Sequence, residues 1–348
     1  MRIVVDVAPL SHVRTGVGND IRGSLRGLAE AAGGAHELVA FAPASRAGRR
    51  EIEASLDGIE VERRLPVVPA AHALRTLWSR VGAPPVERFL GPVDVLHFSD
   101  WMYPPQRGGI RSTMIHDLVP LHYPQWVHAR TRRMHGAKYR HAARACDVVV
   151  VNSRFTGEDV VETLGVDPAR VHVAYPGVDD VFTPEGPRAE GEYVLAVGTL
   201  EPRKNLAVAV EAAQRLDVEL RVVGASGWGG VEASGRGVTW LGYPRDDELP
   251  RLYRGAAAFV YPSRFEGFGI PVLEAMACGA PCIVSAHPSL DEACGDAAVR
   301  ADPDDAAAFA AGIERAYADR DELAQLGFAH ARRFTWLANG RAHLEAWS

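Results

Sequence analysis

Short apolar runs recur at residues 3–7, 37–42, 93–98, 111–116, 147–152 and 171–175, and stretches of helical periodicity separate them. Strands covered on both faces read as nearly continuous apolar runs, so this alternation predicts a parallel sheet flanked by helices. A second series follows at 193–197, 219–223, 238–241, 257–261, 281–284 and 298–301. Between the two lies TPEGPRAEGE, residues 183–192, whose proline, glycine and charge read as a linker. The pattern therefore predicts an α/β protein of two Rossmann-like halves, 1–182 and 193–333. Residues 334–348, with Trp336, Leu337, Leu344 and Trp347, read as a final helix.

The densest local signal is residues 264–285, RFEGFGIPVLEAMACGAPCIVS. A buried strand ends at Pro262, a glycine-broken loop carries Glu266, Pro271 opens a helix, and Gly279 closes it before the next strand. The loop sets the amides of Gly267, Phe268, Gly269 and Ile270 about a helix N-terminus, where partial positive charge favours phosphate or sugar oxygens. Glu274 falls inside the helix and Glu266 on the loop, so both carboxylates are candidates for one pocket. Two solvated glutamates on an ordinary core helix are the competing reading. In VGTLEPRKNL, residues 197–206, Arg203 and Lys204 stand just before a helix that begins near Asn205. A planar fork and a point charge side by side suit a diphosphate, with surface ion pairing as the alternative.

Composition narrows the class. The 348 residues are 47% hydrophobic with a formal charge of -6, which gives no basic footprint for nucleic acid. Residues 1–180 hold 22 Lys+Arg and 20 Asp+Glu, the remainder 16 and 24, so the second half carries the negative charge. Only Lys138 and Lys204 are lysines, which makes each conspicuous. Cys146, Cys278, Cys282 and Cys294 show neither paired nor metal-ligand spacing, and no Asp-x-Asp pair follows a first-half strand, so neither a disulfide nor a metal is expected. With no signal peptide and no apolar run of membrane-spanning length, a cytoplasmic location is expected.

The segment EGFGIPVLEAMACGAP, with Glu266 and Glu274 eight positions apart, resembles the donor-site signature of retaining GT-B glycosyltransferases of family 4. That resemblance implies two Rossmann-like domains facing a central cleft, an acceptor domain first and a donor domain second, with the final helix packing back on the first. It implies transfer of a hexose, of mannose or glucose type, from a GDP- or UDP-linked sugar to a glycan, lipid-linked or small-molecule acceptor, without a cofactor. By the same resemblance Arg203 and Lys204 hold the donor diphosphate, Glu266 the sugar and Glu274 the ribose. The loop RTGVGND, residues 14–20, is no dinucleotide fingerprint, since Gly16 and Gly18 lack a third glycine. The family places a glycine loop there, facing donor phosphate and acceptor. His116 at a strand end matches a histidine set against the donor sugar. Asp117, and Ser99, Asp100, Trp101 and Tyr103 after the preceding strand, are the acceptor candidates. Six Lys or Arg and no acid lie between His128 and Arg144, a solvated helix face or a peripheral contact with the inner face of a membrane. A catalytically silent sugar-nucleotide binding protein and a nucleotide-cofactor oxidoreductase are the alternatives, the second disfavoured by the missing glycine.

Overall fold

Four consecutive valines, Val148–Val151, are all buried, as a strand covered on both faces requires. The structure, a computed structural model, describes residues 1–12, 16–227, 234–245 and 247–348. Its chain separates into two compact units, Met1–Gly177 with Thr335–Ser348, and Val178–Phe334. In the first unit the strands are β1 (Arg2–Asp6), β2 (Glu37–Phe41), β3 (Glu62–Arg64), β4 (Val95–Phe98), β5 (Ile110–Ile115), β6 (Val148–Val151) and β7 (Val171–Val173). They form one parallel sheet in the order β3-β2-β1-β4-β5-β6-β7. The strand order reverses between β1 and β4, so their carboxyl ends mark the place where open α/β sheets bind ligands.

In the second unit the strands are β8 (Tyr193–Val197), β9 (Glu219–Val223), β10 (Val238–Gly242), β11 (Ala258–Tyr261), β12 (Cys282–Ser285) and β13 (Val299–Ala301). Their order is β10-β9-β8-β11-β12-β13, again parallel, with the switch between β8 and β11. Val194, Ala196, Leu220, Val260, Ile283 and Phe309 build the core on one face of this sheet. Apolar periodicity located every strand except β3. Its sequence, Glu-Arg-Arg, has no apolar signal, because an edge strand keeps charge outward to block further pairing.

The segment 183–192, expected as a linker, is held by side-chain hydrogen bonds within the second unit. Arg254 donates from Nε to the Pro187 carbonyl at 2.8 Å and from Nη1 to the Thr183 carbonyl at 3.1 Å. Proline and glycine prevent regular structure there, but the exposed carbonyls still accept from a side chain. The division of the chain falls earlier than that segment, between 177 and 178.

The last helix, Trp336–Ala346, lies in the first unit against the helix Gly16–Ala32. A β-carbon on Gly27 would run into the Trp336 carbonyl, and one on Gly340 into the Gly27 carbonyl, so the two backbones meet directly. Trp347 reaches the core beside Ile3, Leu28 and Val150 and donates from Nε1 to Ser112 Oγ at 2.9 Å. Asn339 donates to the Ala174 and Tyr175 carbonyls, which ties the helix to the end of β7.

Candidate active site

After β8 the chain makes a short turn, Pro202–Lys204, and Asn205 takes a left-handed conformation (φ 53) before the helix Leu206–Leu216. Asparagine tolerates that backbone, and its side chain donates to the Pro262 and Pro303 carbonyls at 3.1 and 2.6 Å. The Arg264 amide donates to the Arg203 carbonyl at 2.9 Å. The loops after β8 and β11 are thereby fastened together at the switch point of the second sheet.

This fastening brings Arg203, Lys204 and Glu266 into contact. Glu266, only 7% exposed, accepts from Arg203 Nη1 and from Lys204 Nζ, each at 2.6 Å. Lys204 Nζ also donates to the Tyr261 hydroxyl at 2.7 Å, and Arg203 Nε to Glu201 at 3.1 Å. Burial alone would raise the Glu266 carboxyl, but the charges of Arg203 and Lys204 outweigh it and bring the group down to about 2. Burial in turn pulls the Lys204 ammonium below its ordinary value, with Glu266 opposing. The result is a buried, fixed arrangement of two cations and a carboxylate that stays ionised at any physiological pH.

Glu274 lies in the helix Ile270–Ala277. Gly269 precedes it with φ 109, a conformation that favours glycine, and an added β-carbon would press on Leu290 at 2.8 Å. Glu274 accepts from the Tyr253 hydroxyl at 3.1 Å. Desolvation raises its carboxyl to about 7, and Asp179 pushes the same way against the tyrosine bond. Two cations outweigh burial at Glu266 while burial prevails at Glu274, so the two carboxylates sit in opposite electrostatic settings. Phe268 is buried against Phe334 (ring centroids 5.5 Å apart), which assigns its side chain to packing.

In the first unit Gly16 and Gly18 are not on a loop: both lie in the first turn of the helix Gly16–Ala32. The helix starts early because Val17, Ile21, Leu25 and Leu28 already follow its period. Arg14 and Thr15 of the predicted loop lie outside the described residues. At the carboxyl ends of β1, β4 and β5 a polar cluster is buried. Asp6 ends β1 and Asp100 follows β4, and Arg75 bridges them at 3.5 and 3.2 Å. Burial raises Asp6 to about 6, with Arg75 opposing. His116, directly after β5, has its Nδ1 3.9 Å from Asp20, beyond hydrogen-bond reach, and its Nε2 has no partner among the described residues. Burial and then the Lys138 charge lower His116 to about 3, so its imidazole is neutral, while burial lifts Asp20 to about 7.

Lys138 departs from its expected place on a solvated basic face. It is 3% exposed, and its ammonium donates to the carbonyls of Ser99 and Met114, joining the loop after β4 to the end of β5. Of the acceptor candidates, Asp100 also accepts from the Trp101 amide at 2.6 Å, and Trp101 meets His72 edge-on. Asp117 accepts from the Val119 amide at 3.0 Å. Tyr103 stacks on His141 with ring centroids 3.9 Å apart, away from Asp100's partners. Apolar periodicity passes over Asp20, Arg75 and Lys138. The scarcity of lysine was the signal for Lys138, and Asp6 interrupting an apolar strand was the signal for Asp6.

Among the described residues no group of three or more His, Cys, Asp or Glu is placed to hold a metal ion. Residues 178–332 match the glycosyl transferases group 1 family, and residues 15–182 match glycosyltransferase family 4. The O-antigen chain mannosyltransferase B of Escherichia coli is 31% identical over 272 residues, covering 70% of this chain and 71% of that protein. Two solved structures share the fold. They are the sucrose-phosphate synthase of Thermosynechococcus elongatus (TM-score 0.74, 19% identity, 99% and 98% of the two chains) and Anabaena HepE in complex with UDP-glucose (0.71, 16%, 99% and 98%). A signature segment built at the switch point of a parallel sheet, both halves of the chain matched, and a relative at this identity and coverage lead to one conclusion: the chain belongs to the group 1 glycosyltransferases of family 4, with the GT-B pair of parallel-sheet domains.

Proposed function

We infer that the protein moves a hexose from a nucleoside diphosphate sugar to an acceptor hydroxyl with retention of anomeric configuration. The observation that carries this reading is the contact of Glu266 with both Arg203 and Lys204 at the carboxyl ends of β8 and β11. A donor diphosphate is charged to match those same two cations. Its binding exchanges their bonds from Glu266 to phosphoryl oxygens, and the released carboxylate accepts hydroxyls of the transferred sugar. As the glycosidic bond lengthens, the paired cations take up the negative charge of the leaving group, and no metal is needed. Glu274, whose carboxyl sits near neutrality, is assigned to the ribose diol. UDP-glucose in HepE and the mannosyltransferase name of the Escherichia coli relative support UDP or GDP donors of glucose or mannose. The neutral His116 of the first unit is assigned to the donor sugar, and Asp100, Trp101, Tyr103 and Asp117 to hydroxyls of a glycan, lipid-linked or small-molecule acceptor.

Calorimetry with UDP and GDP, beside transfer assays run in EDTA, tests the assignment. Glu274→Ala is expected to weaken nucleoside diphosphate binding by about 1.5 to 3 kcal/mol. Glu266→Ala removes a competitor for the cations, so the nucleotide binds as tightly as before or tighter while transfer collapses. Lys204→Ala lowers turnover about 100-fold to 1000-fold. Loss of nucleotide affinity in Glu266→Ala with Glu274→Ala unaffected would reverse the roles, and activity abolished by EDTA and restored by magnesium would refute the metal-free mechanism.

A further inference from the structure

The two glutamates of the signature segment are held by partners of different kinds. Two cations reach Glu266, whereas the Tyr253 hydroxyl, 3.1 Å from Oε2, is the one hydrogen-bond donor to the Glu274 carboxyl among the described residues. Glu274 is partly open to solvent, as a carboxyl that meets a ligand has to be. Tyr253 is wholly buried, and its ring meets those of Phe259 and Phe182 edge-on, with centroids 5.4 and 5.9 Å away. The helix Glu248–Gly255 that carries it is fastened by the Tyr193 hydroxyl, which donates to the Leu252 carbonyl at 2.7 Å. Among the described residues no cation pairs with Glu274. The charge that acts on it is that of Asp179, negative like its own, while burial keeps Tyr253 and Cys278, at the end of its helix, neutral. From β11, β12 and the helices Asp291–Cys294 and Arg320–Ala331, which also pack on this helix, no titratable group of the described residues acts on it. A carboxyl with one neutral donor, facing a second carboxylate, keeps its proton into the neutral range, and that of Glu274 stands at about 7.

We propose that Tyr253 is a positioning residue for Glu274, and that a nucleotide sugar binds there with release of one proton from the Glu274 carboxyl to water. The inference rests on the assignment of Glu274 to the ribose diol. Two ribose hydroxyls donate best to an ionised carboxylate, which only accepts, whereas a protonated carboxyl turns one of its oxygens into a donor and meets the diol with an acceptor fewer. As the diol hydrogen bonds form, the carboxyl O–H bond breaks, its electron pair stays on the carboxylate, and the proton passes to water. The Tyr253 phenol donates to Oε2, fixes the plane of the group and holds its ionised form, which eases this step. Affinity for the nucleotide sugar therefore rises with pH until the free carboxyl is ionised, and then levels.

The test is calorimetry of the full chain with UDP-glucose and with GDP-mannose, each in two buffers of unlike ionisation enthalpy. Both phosphoryl groups of a nucleotide sugar are esterified and carry no proton that titrates near neutrality, so a proton given to the buffer comes from the protein. The wild type is expected to release close to one proton at about pH 6 and nearly none at about pH 8, with affinity rising about 10-fold across that interval. Glu274→Gln keeps the shape of the side chain with no proton to lose, so its affinity should be weaker than wild type at about pH 8 and indifferent to pH. Tyr253→Phe removes the bond that holds the carboxyl down, so the midpoint of the affinity profile should move to higher pH, and KM for the nucleotide sugar should rise with kcat unchanged. A merely structural loss at Tyr253 would lower the melting temperature and leave that midpoint in place. The proposal is overturned if the wild type releases no proton on binding, or if Tyr253→Phe leaves the midpoint unmoved, while Glu274→Gln still weakens binding, and the ribose assignment then stands. If neither nucleotide sugar binds, or if Glu274→Gln binds as tightly as the wild type at about pH 8, the donor-site reading fails and this inference with it.

Discussion

A single buried ammonium, Lys138, holds the loop after β4 to the end of β5 and adds to the depression that burial imposes on His116 and His135. Removing it as Lys138→Met keeps the side-chain length, takes one donor from each of the Ser99 and Met114 carbonyls, and withdraws a positive charge from His116 and His135. Losing such a buried donor costs about 1 to 3 kcal/mol, so the melting temperature should drop. Because burial and then the Lys138 charge depress His116, losing the charge should move its titration up from about 3, with desolvation still keeping it below 6.5. Proton NMR of the histidines reads this directly, and an unmoved His116 resonance would mean that the lysine acts as a mechanical tie alone. Lysine scarcity made the position conspicuous in the sequence. Its burial could not be read there, since the helix Ala129–Ala145 is uniformly basic and nothing in its period distinguishes the inward turn from the outward ones.

Between elements, the closest approach is that of the helices Gly16–Ala32 and Trp336–Ala346. Gly27→Ala drives a methyl into the Trp336 carbonyl, a backbone atom that cannot rotate aside, whereas Gly16→Ala meets nothing within 4 Å. The first should destabilise by about 1 to 3 kcal/mol as overpacking does. The second should leave stability unchanged or raise it by up to about 1 kcal/mol, because alanine is the better helix former. Thermal melts of the two variants make the comparison, and equal melting temperatures would show that the helices separate without cost. The aromatic and apolar positions of residues 334–348 announced a packing helix. Which glycines receive it was not legible, since glycine enters an apolar period as a gap.

Across the whole molecule, buried titrating groups give stability a maximum in pH. The carboxyls of Asp20 and Glu274, at about 7, and of Asp6, at about 6, are raised above 3.8 and 4.5, so the folded chain holds their protons longer than the unfolded chain. Their stabilisation is complete below the unfolded values and is lost as pH rises through 6 and 7. His116, His135, His141 and His343 are depressed to between about 3 and about 4 from 6.5, so their contribution is complete above 6.5 and is lost as pH falls. Glu266 acts in the same direction as the histidines, at lower pH, as its value of about 2 is approached. Stability should therefore peak near 6.5, the ordinary histidine value. Glu274→Gln and Asp20→Asn should each flatten the fall on the alkaline side. Melting temperatures across that range check it, and a curve rising steadily past 7 would contradict the assigned burial of these acids.

Both parallel sheets followed from the sequence because strands covered on two faces must be apolar throughout, and so did the strand, loop and helix carrying Glu266 and Glu274, because proline and glycine fix backbone geometry locally. The pairing of Arg203 and Lys204 with Glu266 joins residues more than sixty positions apart, and only the fastening of two loops at a sheet's switch point decides it. The same holds for Arg75 between Asp6 and Asp100, and for Lys138 beneath the ends of β4 and β5. Periodicity records which positions are buried in apolar surroundings. A buried charge is stable only through partners brought by other segments, and that choice belongs to the tertiary structure.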